Sequence, residues 1–370
     1  MKIAIVANSD WYLYGYRLSL VQELVRLGHQ VTLISPPGRY VKQLQSKGLT
    51  WLPIKLARRG VNPIRELVSF LQIYRIYRFA HFDTVHHFTI KCVIYGSLAA
   101  KIAGVRGVVN SITGLGYMYV NEKLITRFAR RLVNFLYRVT LRESIVVFQN
   151  PSDRDYFLET KLIREKQGQI IKGSGVDINR FTYQAEPSGH PRVILVSRFL
   201  WDKGIGEFIE AAMAINSKIN QAEFALVGDV DPGNPASIPV AVLRGWTETG
   251  KIKMMGWSDN LPQIYKETNI VCLPSYREGL SKVLIEAAAS GRACITTDIP
   301  GCRDVVIHGV NGLLVPPKDV KALIESMLFL INNPEVRKKM GQAGRAIAER
   351  EFSSKRVNEE TIAVYEELAK

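Results

Sequence analysis

Two glutamates, Glu278 and Glu286, stand in a largely apolar stretch of this chain with seven residues between them. The segment Gly279–Lys282 follows the first glutamate, and Ser281 is a plausible N-cap for an Ala-rich helix that Gly291 would end. A helix N-terminus offers unpaired N–H groups and a positive dipole end, so it binds phosphate readily. The second glutamate would lie about five residues along the helix, roughly 7.5 Å further. This spacing suits a ligand with a diphosphate, a sugar and a ribose, and it predicts a nucleotide-sugar site.

Two cations, Arg198 and Lys203, follow the apolar run 192–197 and would leave that strand where open α/β sheets bind ligands. Together they can hold a diphosphate, with each charge-assisted contact contributing about 1.5–3 kcal/mol. They would also stabilise a nucleoside diphosphate as it leaves. The alternative is a solvated basic loop. Glu286 has its own alternative, an internal partner such as an arginine, and Glu278 could simply stabilise the helix N-terminus.

These residues need elements that position them, and the hydrophobic pattern predicts alternating strands and helices. Strands are expected at 2–7, 31–35, 83–87, 108–112, 144–149, 192–197, 223–227, 251–255, 270–274 and 293–296. Helices are expected at 16–27, 64–79, 94–103, 124–140, 205–218, 259–267, 281–290, 319–331 and 353–369. The alternation predicts an α/β protein with two Rossmann-like doubly wound domains that face a central cleft. The predicted divisions are a first domain (1–172), an inter-domain connection (173–191), a second domain (192–352) and a terminal helix (353–370).

Composition favours a globular protein of two domains, because 47% of the 370 residues are hydrophobic and 22% are charged. The four cysteines form no C-x-x-C pair, which indicates reduced thiols, and Cys272 and Cys294 lie in apolar runs typical of core strands. The N-terminus lacks the longer apolar region of a signal peptide. No run approaches the roughly 20 apolar residues of a membrane span. We therefore expect a cytoplasmic protein.

The net charge of +15 is concentrated in the first half of the chain. Residues 1–172 contain 26 Lys and Arg against 10 Asp and Glu, a balance of +16, whereas residues 173–370 contain 23 and 24, a balance of −1. Such asymmetry indicates an anionic partner: nucleic acid, anionic lipid or a phosphorylated acceptor. The alternative is a basic surface that serves only solubility.

Two segments, 64–79 and 124–142, each contain a predicted helix and mix arginines with aromatic residues. Basic amphipathic helices with aromatics suit an anionic membrane surface, and Arg127, Arg130 and Arg131 are the candidate contacts. The alternative is a pair of ordinary sheet-covering helices with a solvated arginine face.

The first half lacks the patterns of other common nucleotide-binding proteins. Neither G-x-G-x-x-G nor G-x-x-x-x-G-K-[ST] occurs, which weakens dehydrogenase and P-loop ATPase interpretations. No cluster has metal-ligand spacing, so no essential metal or other cofactor is expected. His86 and His87 end a predicted strand and point to opposite faces, so one of them could face the cleft. A structural role is the alternative.

Taken together, these motifs resemble glycosyltransferases of family 4, which have the GT-B fold of two Rossmann-like domains. The resemblance covers essentially the whole chain. Its most specific parts are SRFLWDKG, the pair Glu278 and Glu286, and PGCRDVV with GVNGLLVPP. The sequence EGLSKVLIEAAASG and the segment Gly114–Gly116 are most similar to the corresponding segments of bacterial enzymes of the N-acetylgalactosaminyltransferase-like branch. Those enzymes add an N-acetylhexosamine to a polyprenyl-diphosphate-linked sugar in glycan and polysaccharide assembly.

The resemblance implies retaining, metal-independent transfer from a UDP-sugar by a protein peripheral on the inner face of the cell membrane. Arg198, Lys203 and Glu278 would be the catalytic residues, with both cations on the diphosphate. The implied donor-binding residues are Arg198, Lys203, Gly256, Trp257, Glu278, Gly279, Leu280, Ser281, Lys282 and Glu286. Within this set Glu286 would take the ribose hydroxyls, and Gly256 and Trp257 would lie near the base.

Acceptor contacts are expected in the first domain, at Gly15, His86, Thr113 and Gly114. Many relatives carry a histidine in a T-x-H-G-type segment where this chain has Thr113, so no histidine role is transferred. The expected partners are a UDP-sugar, a polyprenyl-diphosphate-linked acceptor and an anionic membrane surface, with no nucleic acid. Two alternatives stay open: a same-fold enzyme similar to UDP-GlcNAc 2-epimerase, and a basic module that binds anionic surfaces, including nucleic acid.

Overall fold

The chain forms two compact units, as seen in a computed structural model that describes residues 1–57, 62–116, 119, 124–218, 222–248 and 250–369. The first unit contains residues 1–174 and 354–370, and the second contains residues 175–353. Each unit has one parallel sheet with helices between its strands. The predicted α/β class with two Rossmann-like doubly wound domains is therefore confirmed.

The sheet of the first unit has seven parallel strands in the order β3-β2-β1-β4-β5-β6-β7. The strands are β1 (Lys2–Val6), β2 (Gln30–Ser35), β3 (Thr50–Pro53), β4 (Thr84–Phe88), β5 (Gly107–Ile112), β6 (Ile145–Phe148) and β7 (Gly168–Ile170). The five predicted strands, β1, β2, β4, β5 and β6, are largely buried on both faces, in agreement with their continuous apolar runs, whereas β3 and β7 are partly exposed.

The helices of the first unit are α1 (Asp10–Tyr12), α2 (Leu18–Arg26), α3 (Val41–Gln45), α4 (Pro63–Ala80), α5 (Ile90–Ala103), α6 (Leu124–Thr140), α7 (Pro151–Glu159) and the C-terminal helix, numbered last as α14 (Ser354–Ala369). A π-helical turn, Leu13–Arg17, joins α1 to α2. The start of α4 follows from its sequence. Asn62 Oδ1 accepts from the N–H groups of Ile64 and Arg65 at 3.1 and 3.2 Å, and Pro63 occupies the first turn.

The sheet of the second unit has six parallel strands in the order β10-β9-β8-β11-β12-β13. The strands are β8 (Arg192–Val196), β9 (Glu223–Val227), β10 (Ile252–Gly256), β11 (Ile270–Leu273), β12 (Ala293–Thr297) and β13 (Gly312–Val315). The helices are α8 (Ile205–Lys218), α9 (Val240–Thr247), α10 (Leu261–Lys266), α11 (Lys282–Ala289), α12 (Val320–Asn332) and α13 (Pro334–Glu351). Cys272 and Cys294 are buried in β11 and β12, as predicted, and all four cysteines are free thiols.

Residues 175–191, most of the segment expected to connect the domains, belong to the second unit. Buried or half-buried arginines of that unit hold their backbone. Arg345 Nη1 donates to the carbonyls of Ile178 and Phe181 at 3.2 and 2.6 Å, and Arg337 forms a two-pronged ion pair with Glu186. The second unit therefore begins well before its first strand.

His86 is buried in the core of the first unit, where α14 packs against the sheet. Its Nδ1 hydrogen-bonds with the Tyr365 hydroxyl at 2.6 Å, and its Nε2 with Ser111 Oγ at 2.7 Å. The Arg17 guanidinium lies 4.1 Å from the ring centre of Phe88, which stacks on His86. Burial is the main reason that the pKa of His86 lies well below its usual value, and the positive charge of Arg17 adds to the effect.

His87 is also fully buried, on the opposite face of β4. Its Nδ1 hydrogen-bonds with Asn110 Oδ1 at 2.8 Å and its Nε2 with the Tyr77 hydroxyl at 2.9 Å. Gly96 leaves the room for this ring, since a Cβ there would lie 2.4 Å from the imidazole. Burial lowers the pKa of His87 to about 4, although the Asn110 hydrogen bond opposes this effect.

Within the described part of the chain, no helix is long and apolar enough to cross a membrane.

Acid should destabilise the first unit through these two histidines. Their pKa values are depressed in the folded state, so the stability that they contribute is present above pH ~6.5, the unfolded value, and is lost as the pH falls through their folded values, which for His87 is about 4. For His87 the loss amounts to roughly 3 kcal/mol, at 1.36 kcal/mol per pKa unit. Urea unfolding at pH 7.5, 6 and 5 checks this, with His87→Gln as the comparison. The variant should be less stable at pH 7.5 but lose less stability on acidification, and parallel pH profiles would contradict the prediction.

Candidate active site

The predicted chemistry of the second unit gathers at the carboxyl edge of its sheet. Arg198 and Lys203 follow β8, and Glu278 follows β11, which pairs with β8 in parallel. Glu286 lies on α11, the helix between β11 and β12. Because the carboxyl ends of parallel strands share one edge, ligands of open α/β sheets bind there.

The turn Trp201–Lys203 is fixed against the exit of β11. The Asp202 carbonyl accepts from the N–H of Tyr276 at 2.9 Å and from Ser275 Oγ at 3.1 Å. Gly204 ends the turn at φ +71°, and a Cβ at this position would lie 2.0 Å from the Pro274 carbonyl oxygen. Glycine is therefore required here for its backbone conformation and for its lack of a side chain.

This close approach brings Lys203 to Glu278. Lys203 Nζ lies 2.6 Å from Glu278 Oε1, and the two side chains are only 17% and 14% exposed. The sequence analysis placed both residues on one ligand, and the structure brings them into direct contact. An ammonium group has three N–H donors, so two remain for a further acceptor such as a phosphate oxygen.

The N-terminus of α11 forms as predicted, but part of its backbone is already used. Ser281 Oγ accepts from the N–H of Leu284 at 3.4 Å, while the N–H of Ser281 donates to the Gly301 carbonyl at 3.0 Å. Gly301 permits this contact, because a Cβ there would lie 2.6 Å from the Glu278 carbonyl oxygen. Leu280 packs against the core. The N–H of Ser281 is thus committed to the protein and does not face an anion.

Glu286 is a buried carboxylate, 5% exposed. Lys282 Nζ is its nearest cation, at 3.9 Å from Oε1, and the Tyr265 hydroxyl also hydrogen-bonds with it. Burial raises the pKa of Glu286, and Lys282, the charge of Arg180 and the Tyr265 hydrogen bond only partly offset that rise. The alternative to a ribose contact was an internal cation beside Glu286. Lys282, one helical turn away, is such a cation, but 3.9 Å is longer than a hydrogen bond.

Gly256 ends β10 and Trp257 follows it, at the same edge of the sheet. The Gly256 carbonyl accepts from the N–H of Gly228 at 2.9 Å, which ties the exits of β10 and β9 together. Trp257 is 44% exposed, and its Nε1 donates to Asp259 Oδ1 at 3.2 Å. Arg180 donates to the carbonyl of Asp259 at 2.8 Å. A partly exposed indole at this edge offers a flat surface to a planar base.

Arg198 is paired with Asp231, a residue that the sequence analysis did not single out. Arg198 Nη1 lies 2.7 Å from Asp231 Oδ2. The two residues are 33 positions apart, and Asp231 sits in an irregular loop after β9, so local patterns gave no signal for the pair. The predicted phosphate-binding arginine therefore has a carboxylate beside it.

The acceptor candidates of the first unit have different surroundings. Gly15 is half-buried in the π-helical turn, a type of turn often found at functional sites. Thr113 and Gly114 follow β5 and are half-buried. His86 does not fit its expected role, because it is 1% exposed and both ring nitrogens are occupied by Tyr365 and Ser111. The pairing with α14 connects residues 279 positions apart and could not be read from the strand.

Metal-ligating side chains do not cluster in the part of the chain that the structure describes. No group of three or more His, Cys, Asp or Glu residues there is placed to hold a metal ion.

Two protein-family models match the chain, one on each unit. "Glycosyl transferase 4-like" matches residues 2–150, and "Glycosyl transferases group 1" matches residues 190–333. The chain therefore belongs to the family 4-like, group 1 glycosyltransferases, whose GT-B fold has the two α/β domains described above.

Relatives and solved structures agree with this family. The chain is 25% identical to the N,N'-diacetylbacillosaminyl-diphospho-undecaprenol α-1,3-N-acetylgalactosaminyltransferase of Campylobacter jejuni, over 91% of each protein. It is 24% identical to the UDP-Gal:α-D-GlcNAc-diphosphoundecaprenol α-1,3-galactosyltransferase of Escherichia coli, over 73% of this chain and 72% of that protein. The crystal structure of Anabaena HepE in complex with UDP superposes with a TM-score of 0.80 at 19% identity, over 99% of this chain and all of that one. At that identity the superposition concerns the fold alone.

Replacing Gly204 should lower the free energy of unfolding more than replacing a glycine that has a similar backbone conformation but open space around it. Gly204→Ala forces a Cβ into the Pro274 carbonyl, whereas Gly250→Ala, at φ +69°, meets nothing within 4 Å. We expect Gly250→Ala to cost about 1 kcal/mol for its left-handed conformation, and Gly204→Ala to cost about 3 kcal/mol or more. Chemical unfolding measures both, and equal losses would contradict the proposed close contact.

Proposed function

We propose that this protein is a retaining glycosyltransferase that moves a sugar, an N-acetylhexosamine, from a UDP-sugar to a polyprenyl-diphosphate-linked saccharide in bacterial glycan assembly. The observation that carries the proposal is the pair of cation–carboxylate contacts around the start of α11, Lys203 with Glu278 and Lys282 with Glu286. The names of the relatives from C. jejuni and E. coli support the lipid-linked acceptor, and the UDP complex of HepE supports the donor class.

In this proposal the four predicted groups act on one donor. Lys203 and Arg198 contact the diphosphate and stabilise the negative charge that grows as UDP leaves. Glu286 accepts hydrogen bonds from the ribose hydroxyls, which compensates a carboxylate that burial otherwise penalises. Glu278, oriented by Lys203, accepts from hydroxyls of the donor sugar. The partly exposed Trp257 lies beside the base.

The transfer step needs no separate protein base. The bond between the anomeric carbon and the phosphate oxygen breaks, and its electron pair leaves with UDP. The acceptor hydroxyl oxygen bonds to the anomeric carbon on the same face, and its proton passes to the departing phosphate oxygen. The cations at the diphosphate supply the electrostatic stabilisation, so we propose that transfer proceeds without an essential metal.

A donor screen tests the reaction directly. Purified protein is incubated with UDP-sugars and a polyprenyl-diphosphate-sugar acceptor, with and without EDTA, and products are read by mass spectrometry. We expect the mass of an added N-acetylhexosamine in both conditions, and the anomeric proton coupling in the NMR spectrum of the product should show retained configuration. Epimerisation of UDP-GlcNAc without transfer would favour the epimerase alternative. A thermal shift with oligonucleotides but not with UDP would favour the nucleic-acid alternative.

The ribose role of Glu286 predicts a specific loss. Glu286→Gln keeps the shape of the side chain but exchanges one acceptor oxygen for a donor, so UDP should bind about tenfold more weakly while 2'-deoxy-UDP changes little. Calorimetry with both nucleotides measures the difference. A variant that still prefers UDP over its deoxy analogue as strongly as the parent would remove the ribose contact from the proposal.

The membrane part of the proposal rests on α6 and its neighbours. α6 contains no acidic residue, and its most exposed large apolar side chains recur at helical spacing. These are Phe128, Leu132, Phe135 and Val139, between 45% and 72% exposed. Arg127, Arg131 and Arg138 are exposed on one flank of this stripe. Arg130, one of the three predicted membrane contacts, is instead half-buried with its guanidinium 5.7 Å from the ring centre of Tyr119.

The two helices that follow one another beside α6 also carry exposed apolar side chains, and α5 packs against both α4 and α6. On α4 and α5 the exposed apolar side chains are Ile64, Leu67, Val68, Leu71, Phe79, Leu98 and Ile102. An exposed apolar surface with basic residues beside it fits an anionic bilayer, where the acceptor lipid resides. A second copy of the chain fits less well, since pairing these faces would bring like charges together. We therefore propose a peripheral location on the inner face of the cell membrane.

Vesicle sedimentation tests this surface. Arg127, Arg131 and Arg138 changed together to Gln should weaken binding to vesicles rich in phosphatidylglycerol, by about 1 kcal/mol per charge. The control changes Lys321, Lys338 and Lys339, exposed residues of the second unit, to Gln and removes the same charge. Salt at 0.5 M screens the electrostatic attraction, so the vesicle binding that remains there is mainly apolar. The double variant Phe128→Ser/Phe135→Ser should weaken this remaining binding. Equal losses for the arginine and lysine variants would point to net charge alone and contradict the assigned surface.

A further inference from the structure

We propose that Asp231 is a positioning residue, which holds Arg198 in the orientation that meets the donor diphosphate. The inference rests on the proposed function. Arg198 Nη1 lies 2.7 Å from Asp231 Oδ2, and the side chains are 42% and 12% exposed, respectively. The carboxylate is thus the better fixed of the two partners.

The loop around Asp231 is held by its own hydrogen bonds. Asn234 Nδ2 donates to Asp231 Oδ2 at 3.0 Å, and the N–H of Asp231 donates to Ser237 Oγ at 3.2 Å. The N–H of Asn234 donates to the Asp231 carbonyl at 2.9 Å, and Asn234 Oδ1 accepts from the N–H of Ala236 at 3.1 Å. These contacts place the carboxylate before any ligand arrives.

Backbone hydrogen bonds tie the same loop to the segment that carries Arg198. The N–H of Phe199 donates to the Asp229 carbonyl at 2.8 Å, and the Phe199 carbonyl accepts from the N–H of Ile238 at 2.9 Å. The N–H of Trp201 donates to the Ala236 carbonyl at 2.9 Å. Asp231 and the main chain at Arg198 therefore keep a fixed separation, and the ion pair fixes the rest of the arginine.

The value of such a pair lies in orientation more than in attraction. An ion pair this exposed contributes little to the free energy of unfolding. An arginine that is not held in place, however, loses much of its rotamer entropy when it is fixed on a ligand. Asp231 accepts from Nη1 of the guanidinium, which has five N–H donors, so donors remain for a phosphate.

The experiment compares UDP with uridine, because only UDP carries the phosphates that Arg198 would contact. Asp231→Ala should weaken UDP binding about tenfold, the factor for a loss of 1.4 kcal/mol, and leave uridine affinity unchanged. Asp231→Asn retains an acceptor oxygen for Arg198 and should lie near the parent. Arg198→Ala should weaken UDP but not uridine, and the double variant Asp231→Ala/Arg198→Ala should be no weaker than Arg198→Ala alone.

The matched control is Glu267→Ala, which removes an acidic partner of Arg192 at the opposite end of β8. It should leave the UDP affinity as in the parent. Tighter UDP binding by Asp231→Ala would mean that Asp231 competes with the phosphate, and this would overturn the inference. Unchanged UDP affinity, or equal losses for UDP and uridine, would overturn it as well. If Arg198→Ala binds UDP as the parent does, the diphosphate role in the proposed function fails first.

Discussion

The geometry of the candidate site depends on one close approach, between the turn 201–204 and the exit of β11. Gly204 lies against the Pro274 carbonyl with no room for a Cβ, and the Asp202 carbonyl accepts two hydrogen bonds from the strand exit. This contact brings Lys203 within 2.6 Å of Glu278, although 75 residues separate them in sequence. Loosening it would separate a cation and a carboxylate that the proposed chemistry needs side by side.

The charges at this edge of the sheet are arranged in pairs. Arg198 has Asp231, Lys203 has Glu278, and Lys282 lies near Glu286. Pairing lets charged groups occupy poorly hydrated positions without a large desolvation penalty. It also means that a diphosphate arriving here adds to existing contacts, because ammonium and guanidinium groups have several donors each. Glu286 is buried, which raises its pKa, and its cation is the most distant of the three, at 3.9 Å.

Much of the fold could be predicted because its signals are local. The helix predicted at 64–79 is α4, which begins at Pro63 after the N-cap Asn62, and Ser281 and Gly291 were the predicted limits of α11. Elements with weaker local patterns were not predicted. β3 is a short edge strand that ends in Pro53, and α13 is a polar helix containing Gly341 and Gly344. Tertiary packing explains the glycines, because a Cβ on Gly341 would lie 2.1 Å from the Gly291 carbonyl oxygen.

For the candidate site, the sequence predicted residue types and the sheet edge but not the partners. The pair of Asp231 with Arg198, and that of His86 with Tyr365, join segments that are distant in the chain. Spacing rules describe neighbours within one helix or strand, so contacts of this kind lie beyond them. The same limit explains Arg130, whose guanidinium lies over the ring of Tyr119, a residue outside α6.

In the proposed site, Lys203, Arg198, Glu278 and Glu286 converge on one uridine diphosphate. A crystal structure of the protein with a UDP-sugar would show whether they do. Phosphate oxygens should lie within hydrogen-bonding distance of Lys203 and Arg198, donor-sugar hydroxyls on Glu278 and both ribose hydroxyls on Glu286. A nucleotide bound elsewhere, or one that leaves the Glu286 carboxylate without a ribose contact, would contradict it.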